Sequence, residues 1–442
     1  MIKTITKFIT IFILLPGFLF VAASPALADA FRISDWTGDV IARTNKPLTL
    51  NECYILALKQ SEIIAINSQL IKEAEAHFVQ ALSIVLPHLS YSSVDTREDA
   101  TNLSSIYPKN SYERKFVLTQ NLFTGFKAMA GIAGSKLEQN QRFAEKMRAE
   151  QLLFLDVSDS FFLLLAQEED LKTLQIIQEA LINRMKELKA REDLGRSRHS
   201  ESVNTEAELH RIEAEIKLVI GRKQVARQLL EFLTGRGISG VIDQKNFIPS
   251  LRPENEYLVR STQRLDIEAA RLAWEVGKQK VLIAKSGFLP TIDVEANYYT
   301  ARNTAPSDSK WDALLDIEVP IFDGAQTIGN VMEANSRLRV NELEYLRLKR
   351  VAVRETRNAY VRLKENIAST KAYYKALTSA VENYHLQKED YRLNLVSNLD
   401  VLDSIRRMGD SRRDFITSLY QTKTLYYRLF VAIGEIPVDN KR

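Results

Sequence analysis

No proline lies between Pro108 and Pro249, and none between Pro320 and Pro437. A proline inside a helix costs about 3 kcal/mol, so these two gaps are the stretches of the 442-residue chain in which long helices can form. Both gaps are rich in Leu, Ala, Glu, Lys, Arg and Gln, the good helix formers. Lys127 to Leu194 and Ala325 to Leu395 each read as one rod of roughly 100 Å at about 1.5 Å per residue. A compact domain of this size has no room for two such rods.

The gaps belong to a duplication. Leu86-Pro87-His88-Leu89 is echoed by Leu289-Pro290-Thr291-Ile292, and Asn121-Leu122-Phe123-Thr124-Gly125 by Pro320-Ile321-Phe322-Asp323-Gly324. Leu230-Glu231-Phe232-Leu233-Thr234-Gly235 is echoed by Leu429-Phe430-Val431-Ala432-Ile433-Gly434. Order and spacing are kept, which implies two copies of a unit about 200 residues long. We assign residues 29–240 to the first repeat and 241–442 to the second.

Each rod turns back on itself. The turns fall at Leu194–Ser200 and Asn394–Leu399, with Ser202 and Asp400 as candidate caps of the returning helices. Those helices carry seams with steps of three and four. One runs through Leu209, Ile212, Ile216, Val219, Lys223, Ala226, Leu230 and Leu233; the other through Ile405, Met408, Arg412, Phe415, Leu419, Thr422, Tyr426 and Leu429. The hairpins are expected over 126–235 and 324–434. Asp323 is a candidate N-cap for the second rod, and Gly324 eases the change of direction.

A pair of strands is expected before each rod. Ile292, Val294, Ala296 and Tyr298 alternate with Asp293, Glu295, Asn297 and Tyr299, and Trp311, Ala313, Leu315, Ile317 and Val319 with Asp312, Leu314, Asp316 and Glu318. This gives strands at 291–302 and 310–322, with a noisier pair at 89–98 and 112–123. About twelve tilted residues rise roughly 30 Å, the thickness of a bilayer core. One face is apolar with aromatic ends, as lipid contact requires; a half-buried soluble sheet gives the same alternation. Four strands cannot close a barrel, and open edges are not tolerated in lipid, so several copies must share one. Two copies would give eight strands around a filled interior, and three or more a lumen. Asp293, Glu295, Asp312, Asp316 and Glu318 would line it and favour cations, or form a solvated face.

The N-terminus reads as an export signal. Lys3 and Lys7 precede an apolar core, Phe8 to Ala23, and Ala26-Leu27-Ala28 fits a cleavage site, so residues 1–28 are expected to be removed. The formal charge then falls from +4 to about +2. Near-neutral charge with mixed signs argues against nucleic acid as a partner. Cys53 is the only cysteine, so no internal disulfide can form; a buried place on a helix is expected. No P-loop, dinucleotide fingerprint or HExxH is present, and His77, His88, His199, His210 and His385 lack metal-ligand spacing. We expect no enzyme, no cofactor and no metal centre.

In this order of parts the chain resembles the TolC family of outer-membrane efflux channels. The resemblance runs from about Leu48 to Gly434. It includes Leu48-Thr49-Leu50-Asn51-Glu52 with Ala57-Leu58, and Val319-Pro320-Ile321-Phe322-Asp323-Gly324, close to the family's Pro-Leu-Phe-Asp-Gly. It implies a mainly α fold with a membrane β-barrel part. Three copies would build a twelve-stranded barrel in outer-membrane lipid, continued by an α-helical tunnel in the periplasm. It also implies a passive exit duct of a tripartite efflux or type I secretion system. The hairpin tips would dock with a periplasmic adaptor (membrane fusion) protein and an inner-membrane pump. By this resemblance the adaptor-facing positions are Gly195, Arg196, Ser197 and Arg198, with Leu395, Val396, Ser397 and Asp400. The family tends to have Gly, a few residues, then Asp-Val at its tips. Asp400-Val401 fits, whereas Asn394 stands for Gly; in the first tip Gly195 falls one residue early and Ser202-Val203 stands for Asp-Val. The family closes its tunnel near the tips with polar residues; His385 and Glu389, one helical turn apart, could pair on the surface or line the pore. The rival reading is a periplasmic coiled-coil adaptor or scaffold without a pore.

Overall fold

The computed structural model describes residues 46–97, 110–243, 249–304 and 308–437. The expected signal peptide, 1–28, lies outside the described residues. Two helices, α1 (Leu50–Gln60) and α2 (Glu62–Ser83), lead into strands β1 (His88–Arg97) and β2 (Asn110–Thr124). The rod α3 (Lys127–Asp193) and its return α4 (His199–Thr234) complete the first half. The second half repeats it with α5 (Glu254–Ser261), α6 (Leu265–Lys285), β3 (Thr291–Arg302), β4 (Trp311–Glu318), α7 (Gln326–Arg392) and α8 (Asn398–Ala432).

Both rods are 67 residues long. Every described residue with positive φ has a counterpart 199 positions away: Gly125 and Gly324, Phe126 and Ala325, Gly195 and Asn394, Gly235 and Gly434. The duplication thus extends to the unusual backbone conformations. At each strand-to-rod joint two successive left-handed residues reverse the chain. The side chain just before them then accepts from a rod amide: Thr124 Oγ1 from Ala128 at 3.2 Å, Asp323 Oδ2 from Thr327 at 2.8 Å. Asp323 is therefore not the N-cap residue itself. Ala325, at φ 70°, holds that place, and Asp323 reaches past the turn to supply the missing acceptor.

The four strands form one antiparallel sheet in the order β1-β2-β3-β4, so the two halves meet in the β2–β3 pairing. β4 stops at Glu318, short of the expected residue 322. Its last partner is Thr291; before Thr291 stands Pro290, and beyond Glu318 stands Pro320. Neither proline can donate to a ladder, so pairing ends there. Among the described residues the outer edges, β1 and β4, have no neighbouring strand.

Below the sheet the helices pack side by side. Near the strands the order is α2, α3, α6, α7; farther away it is α4, α3, α8, α7. The two rods run through both layers while the shorter helices occupy one each. The apolar interior forms three patches along the rods. One joins Tyr54, Phe154, Phe161, Leu164, Leu230 and Tyr427; a second, nearer the turns, joins Leu174, Ile177, Leu181, Ile212, Val219 and Ile405. The third joins Tyr257, Leu363, Leu425 and Leu429. Phe154 is fully buried and meets Tyr54 edge-on at 5.1 Å. Phe154→Ala is expected to cost about 3–5 kcal/mol, read as a lowered thermal midpoint of the purified protein.

The α4 seam matches its expected positions at Ile212, Ile216, Val219, Ala226 and Leu230, all buried. In α8 the expected Met408, Arg412, Phe415, Leu419 and Tyr426 are only half-buried. The buried arc runs instead through Val401, Leu402, Ile405, Gly409, Ile416, Thr422, Leu425 and Leu429. The reason is that α8 lies between α3 and α7 and buries a wide arc, where α4 buries one stripe. The polar position Thr422 is accommodated by pairing: Thr370 Oγ1 lies 2.6 Å from Ser418 Oγ and 2.8 Å from Thr422 Oγ1, and Asn366 donates to Thr422 at 2.8 Å. The last carbonyls of α8 are met by arginines. Arg148 donates to Val431 O at 2.9 Å, and Arg264, 3% exposed, donates to Ala432 O at 3.3 Å while bonded to Asp266 and Glu355, each at 2.6 Å.

Candidate functional site

Register divides the sheet into two chemically distinct faces. On one, Ile292 faces Ile317, Val294 faces Leu315, Ala296 faces Ala313 and Tyr298 faces Trp311. Phe116 and Leu118 of β2, then Tyr91 and Leu89 of β1, continue this surface across the sheet. Tyr298 is 55% exposed and Trp311 69%, so large aromatic side chains of this face lie open in the single chain. A water-soluble monomer seldom shows an apolar surface this continuous.

The opposite face brings all five expected carboxylates together. Asp293 faces Asp316, Glu318 faces Thr291, Asp312 faces Asn297, and Glu295 faces Leu314. Asn297, 7% exposed, ties two of them by donating to Glu295 Oε1 and Asp312 Oδ1, each at 2.9 Å. The first strand pair adds a base that the sequence reading left out: Lys115 of β2, opposite Tyr299 and 3.1 Å from Glu113. Arg302 stacks on the Tyr299 ring at 4.0 Å. The face is acidic towards the helices and mixed towards the strand ends.

At the far end of the rods the two turns share one geometry. Gly195 and Asn394 both take the left-handed conformation, φ 68° and 58°. The next amide bonds back to the fifth residue before it, Arg196 to Arg191 O at 2.7 Å and Leu395 to Asp390 O at 2.9 Å. The first turn therefore does not place Gly195 one residue early. Glu201-Ser202, not Ser202-Val203, stands where the second turn has Asp400-Val401. Ser202 is not a cap either: Arg198 precedes the helix, and Ser202 Oγ donates to Glu192 at 2.6 Å. Asp400 does act on its turn, accepting from Ser397 N at 2.9 Å and Ser397 Oγ at 2.6 Å. Arg196, Arg198, Leu395, Ser397 and Asp400 are exposed, whereas Ser197 and Val396 are half-buried.

The tips are locked to each other by residues absent from the sequence reading. Arg184, 4% exposed, donates to Asn398 Oδ1 at 2.8 Å and lies 3.5 Å from the ring centre of Tyr391. Arg191 lies 4.6 Å from the same ring, and the Tyr391 hydroxyl donates to Glu201 at 3.2 Å. His385 and Glu389 are both exposed on α7, and Glu389 is held by Arg392 at 3.0 Å, away from His385. No local spacing marks the lock, because its partners are about 200 residues apart. Nearby, Ser202 and His199 hold Glu192 below the usual carboxylate range. A depressed folded pKa stabilises above the unfolded value and is lost as pH falls through the folded one. Hydrogen-exchange protection at Glu192–Ser202 is therefore expected to be full at neutral pH and to drop in the acid range. Unchanged protection at low pH would remove Glu192 from this role.

Among the described residues no helix is long and apolar enough to cross a membrane, and no group of three His, Cys, Asp or Glu side chains is arranged to hold a metal. Cys53 is fully buried on α1, where burial pushes its thiol up to about 12. A sheet with an open apolar face, set on paired helical hairpins, fits a protein whose strands sit in lipid and whose helices stand in water.

Comparison with known proteins agrees. Residues 261–435 match the family model described as outer membrane efflux protein. Outer membrane protein TolC of Vibrio cholerae is 23% identical over 314 residues, covering 68% of this chain and 72% of that protein. The cation efflux system protein CusC of Escherichia coli is 24% identical over 180 residues, 39% of each chain. The crystal structure of VceC, an outer membrane protein of Vibrio cholerae, superimposes with a TM-score of 0.76 at 19% identity, covering 87% of this chain and 96% of that one. Over residues 261–435 the chain matches the outer membrane efflux protein family, and its fold is that of outer-membrane channels such as VceC.

Proposed function

We propose that three copies of the chain close a twelve-stranded barrel in outer-membrane lipid, and that their helices continue it as a periplasmic tunnel. One observation carries this: the sheet has a lipid-compatible face and two edges, β1 and β4, that are unpaired among the described residues, and lipid does not tolerate open edges. The helices support it. Among the described residues their outer flanks, α7 on one side and α2 with α4 on the other, are covered only in part, by the short helices α5 on α7 and α1 on α4, and they expose Leu218, Val225 and Phe232 of α4 and Met332, Leu343 and Val361 of α7. A neighbouring copy on each side covers the open strand edges and these flanks together.

The duct is passive and serves a tripartite efflux or type I secretion system, with the energy supplied by an inner-membrane pump. The tips meet a periplasmic adaptor through Gly195, Arg196, Ser197 and Arg198 and through Leu395, Val396, Ser397 and Asp400. The exposed pair Arg196 and Arg198 gives the first tip a basic surface, and Leu395 gives the second an apolar one. His385 and Glu389 stand near the narrowing end as candidate lining residues. Asp293, Glu295, Asp312, Asp316 and Glu318 face the barrel lumen and favour cations there.

In planar bilayers the purified protein is expected to form long-lived pores that pass more cation than anion. Replacing the five lumen carboxylates by Asn and Gln should move the reversal potential towards anions. Pores whose selectivity ignores that change would take these residues out of the lumen. A photocrosslinker at Arg198 should capture an adaptor in whole cells; capture of outer-membrane components only would refute the tip assignment.

A further inference from the structure

Inside one chain the two repeats are joined where α3 meets α8. Arg148 and Gln151 of α3 close the end of α8, donating to Val431 O at 2.9 Å and to Gly434 O at 2.6 Å. Farther along, Arg428 is bonded to Asp159 at 2.7 Å and Arg413 to Asp170 at 2.6 Å. Phe162 stacks on Tyr427 nearby, with ring centres 5.6 Å apart. The last carbonyls of a helix lack an intrahelical donor and carry partial negative charge, so a cationic donor suits them.

The counterparts of these groups, 199 positions away, lie on α7 and α4. Those helices stand at opposite ends of the row α4, α3, α8, α7. Arg347 and Arg350 of α7 correspond to Arg148 and Gln151, and Phe232 and Gly235 of α4 to Val431 and Gly434. Arg347 is exposed and bonded to Glu344 of its own helix. Arg350 borders a hollow of about 450 Å³ on α7, and among the described residues it is neither hydrogen-bonded nor ion-paired. Among the same residues no side chain donates to Phe232 O or Gly235 O, and the last turn of α4 holds no basic residue. One flank thus offers free cationic donors, and the other a helix end without them.

Elsewhere the second set of residues differs in kind. Asp159 and Arg428 correspond to Asn358 and Leu229, and Asp170 and Arg413 to Ser369 and Ala214, so both ion pairs are missing. Where α8 has Thr417 and Thr424, α4 has Leu218 and Val225, both exposed in the single chain.

We propose that α7 of one copy packs on α4 of the next in the register of α3 on α8, with Arg347 and Arg350 donating to Phe232 O and Gly235 O of the next copy. The assignment rests on the side-by-side copies proposed above, and adds the register and the groups that fasten them. Two cations hold the copies together at the end of α4. Beyond that point apolar contact takes over, and the two places that carry ion pairs within the chain carry none between copies.

The test builds one missing pair. Purified, detergent-solubilised full-length protein is held at the urea concentration that half-dissociates the native oligomer, and sedimentation velocity reads the association constant. Leu229→Arg alone is expected to weaken association at least tenfold, because it sets an unpaired charge in an apolar seam. Adding Asn358→Asp should return it to within about threefold of the native value, as Asp159 serves Arg428. Residues 229 and 358 lie on opposite flanks of one chain, so such rescue arises only between copies. Arg347→Ala combined with Arg350→Ala should also weaken association at least tenfold. All four positions are exposed in the single chain, so helicity is expected to be unchanged. No rescue by Asn358→Asp, or native association in the double alanine variant, would overturn the proposal. The unmodified protein separates the two readings. A native oligomer without rescue sinks only the register, whereas a native chain that stays single without urea sinks the side-by-side copies themselves.

Discussion

Replacing Gly125 by alanine is expected to destabilise the protein by about 2–5 kcal/mol, and the same change at Gly324 by only about 1–2 kcal/mol. The two glycines are counterparts in the duplication, with nearly equal φ of +59° and +66°. A Cβ pays the same left-handed conformational cost at both. Around Gly324 nothing lies within 4 Å; at Gly125 a Cβ would stand 2.8 Å from the backbone oxygen of Ser286 and 2.9 Å from Leu289 Cβ. That oxygen belongs to the turn leading into β3 and cannot step aside without moving the strand. Thermal melting of the detergent-solubilised oligomer should show the larger drop for Gly125→Ala. Equal drops would mean that the joint between β2 and α3 has slack this packing does not show.

The second large effect is expected at the tips. Arg184→Ala removes a charged hydrogen bond to Asn398 and a desolvated cation from the face of Tyr391, together about 3–5 kcal/mol of local stability. It also strands the Asn398 carbonyl oxygen in a buried place. Tyr391→Phe should cost only about 0.5–1.5 kcal/mol, because the ring stays and one hydroxyl bond to Glu201 is lost. Hydrogen exchange at Leu188–Leu194 and Ser397–Leu402 should rise strongly in the first variant and mildly in the second. Equal exchange in both would show that the rods meet at their ends without being fastened by this cluster.

How much of this was legible in the sequence differs by kind of interaction. The rods were, because proline exclusion and helix propensity act locally and over many residues. The sheet faces were, because alternation with a period of two survives a blurred boundary, and the five carboxylates expected in the lumen fall on one face. The end of β4 was not: apolar alternation continues to Val319, but pairing is limited by what stands opposite, and there it is Pro290. The left-handed Phe126 and Ala325 were invisible, since neither residue type favours that conformation and only the joint demands it. The lock of Arg184, Tyr391 and Asn398 was hidden for a different reason. Each is unremarkable in its own helix and gains meaning only from a partner in the other repeat. The misplacement of Ser202 came from matching letters; counting from the left-handed residue puts Glu201 opposite Asp400.

The claim on which the rest depends is that β1 of one copy pairs with β4 of the next. It can be read by cysteine cross-linking, because Cys53 is buried and silent. Single cysteines along Leu89–Val94 are combined, one at a time, with single cysteines along Asp312–Ile317 in the same chain. Oxidation in membranes is expected to give a covalent ladder that ends at three copies, for one register of pairs and its near neighbours only. A chain that stays single for every pair, and that remains in solution without detergent, would contradict the account.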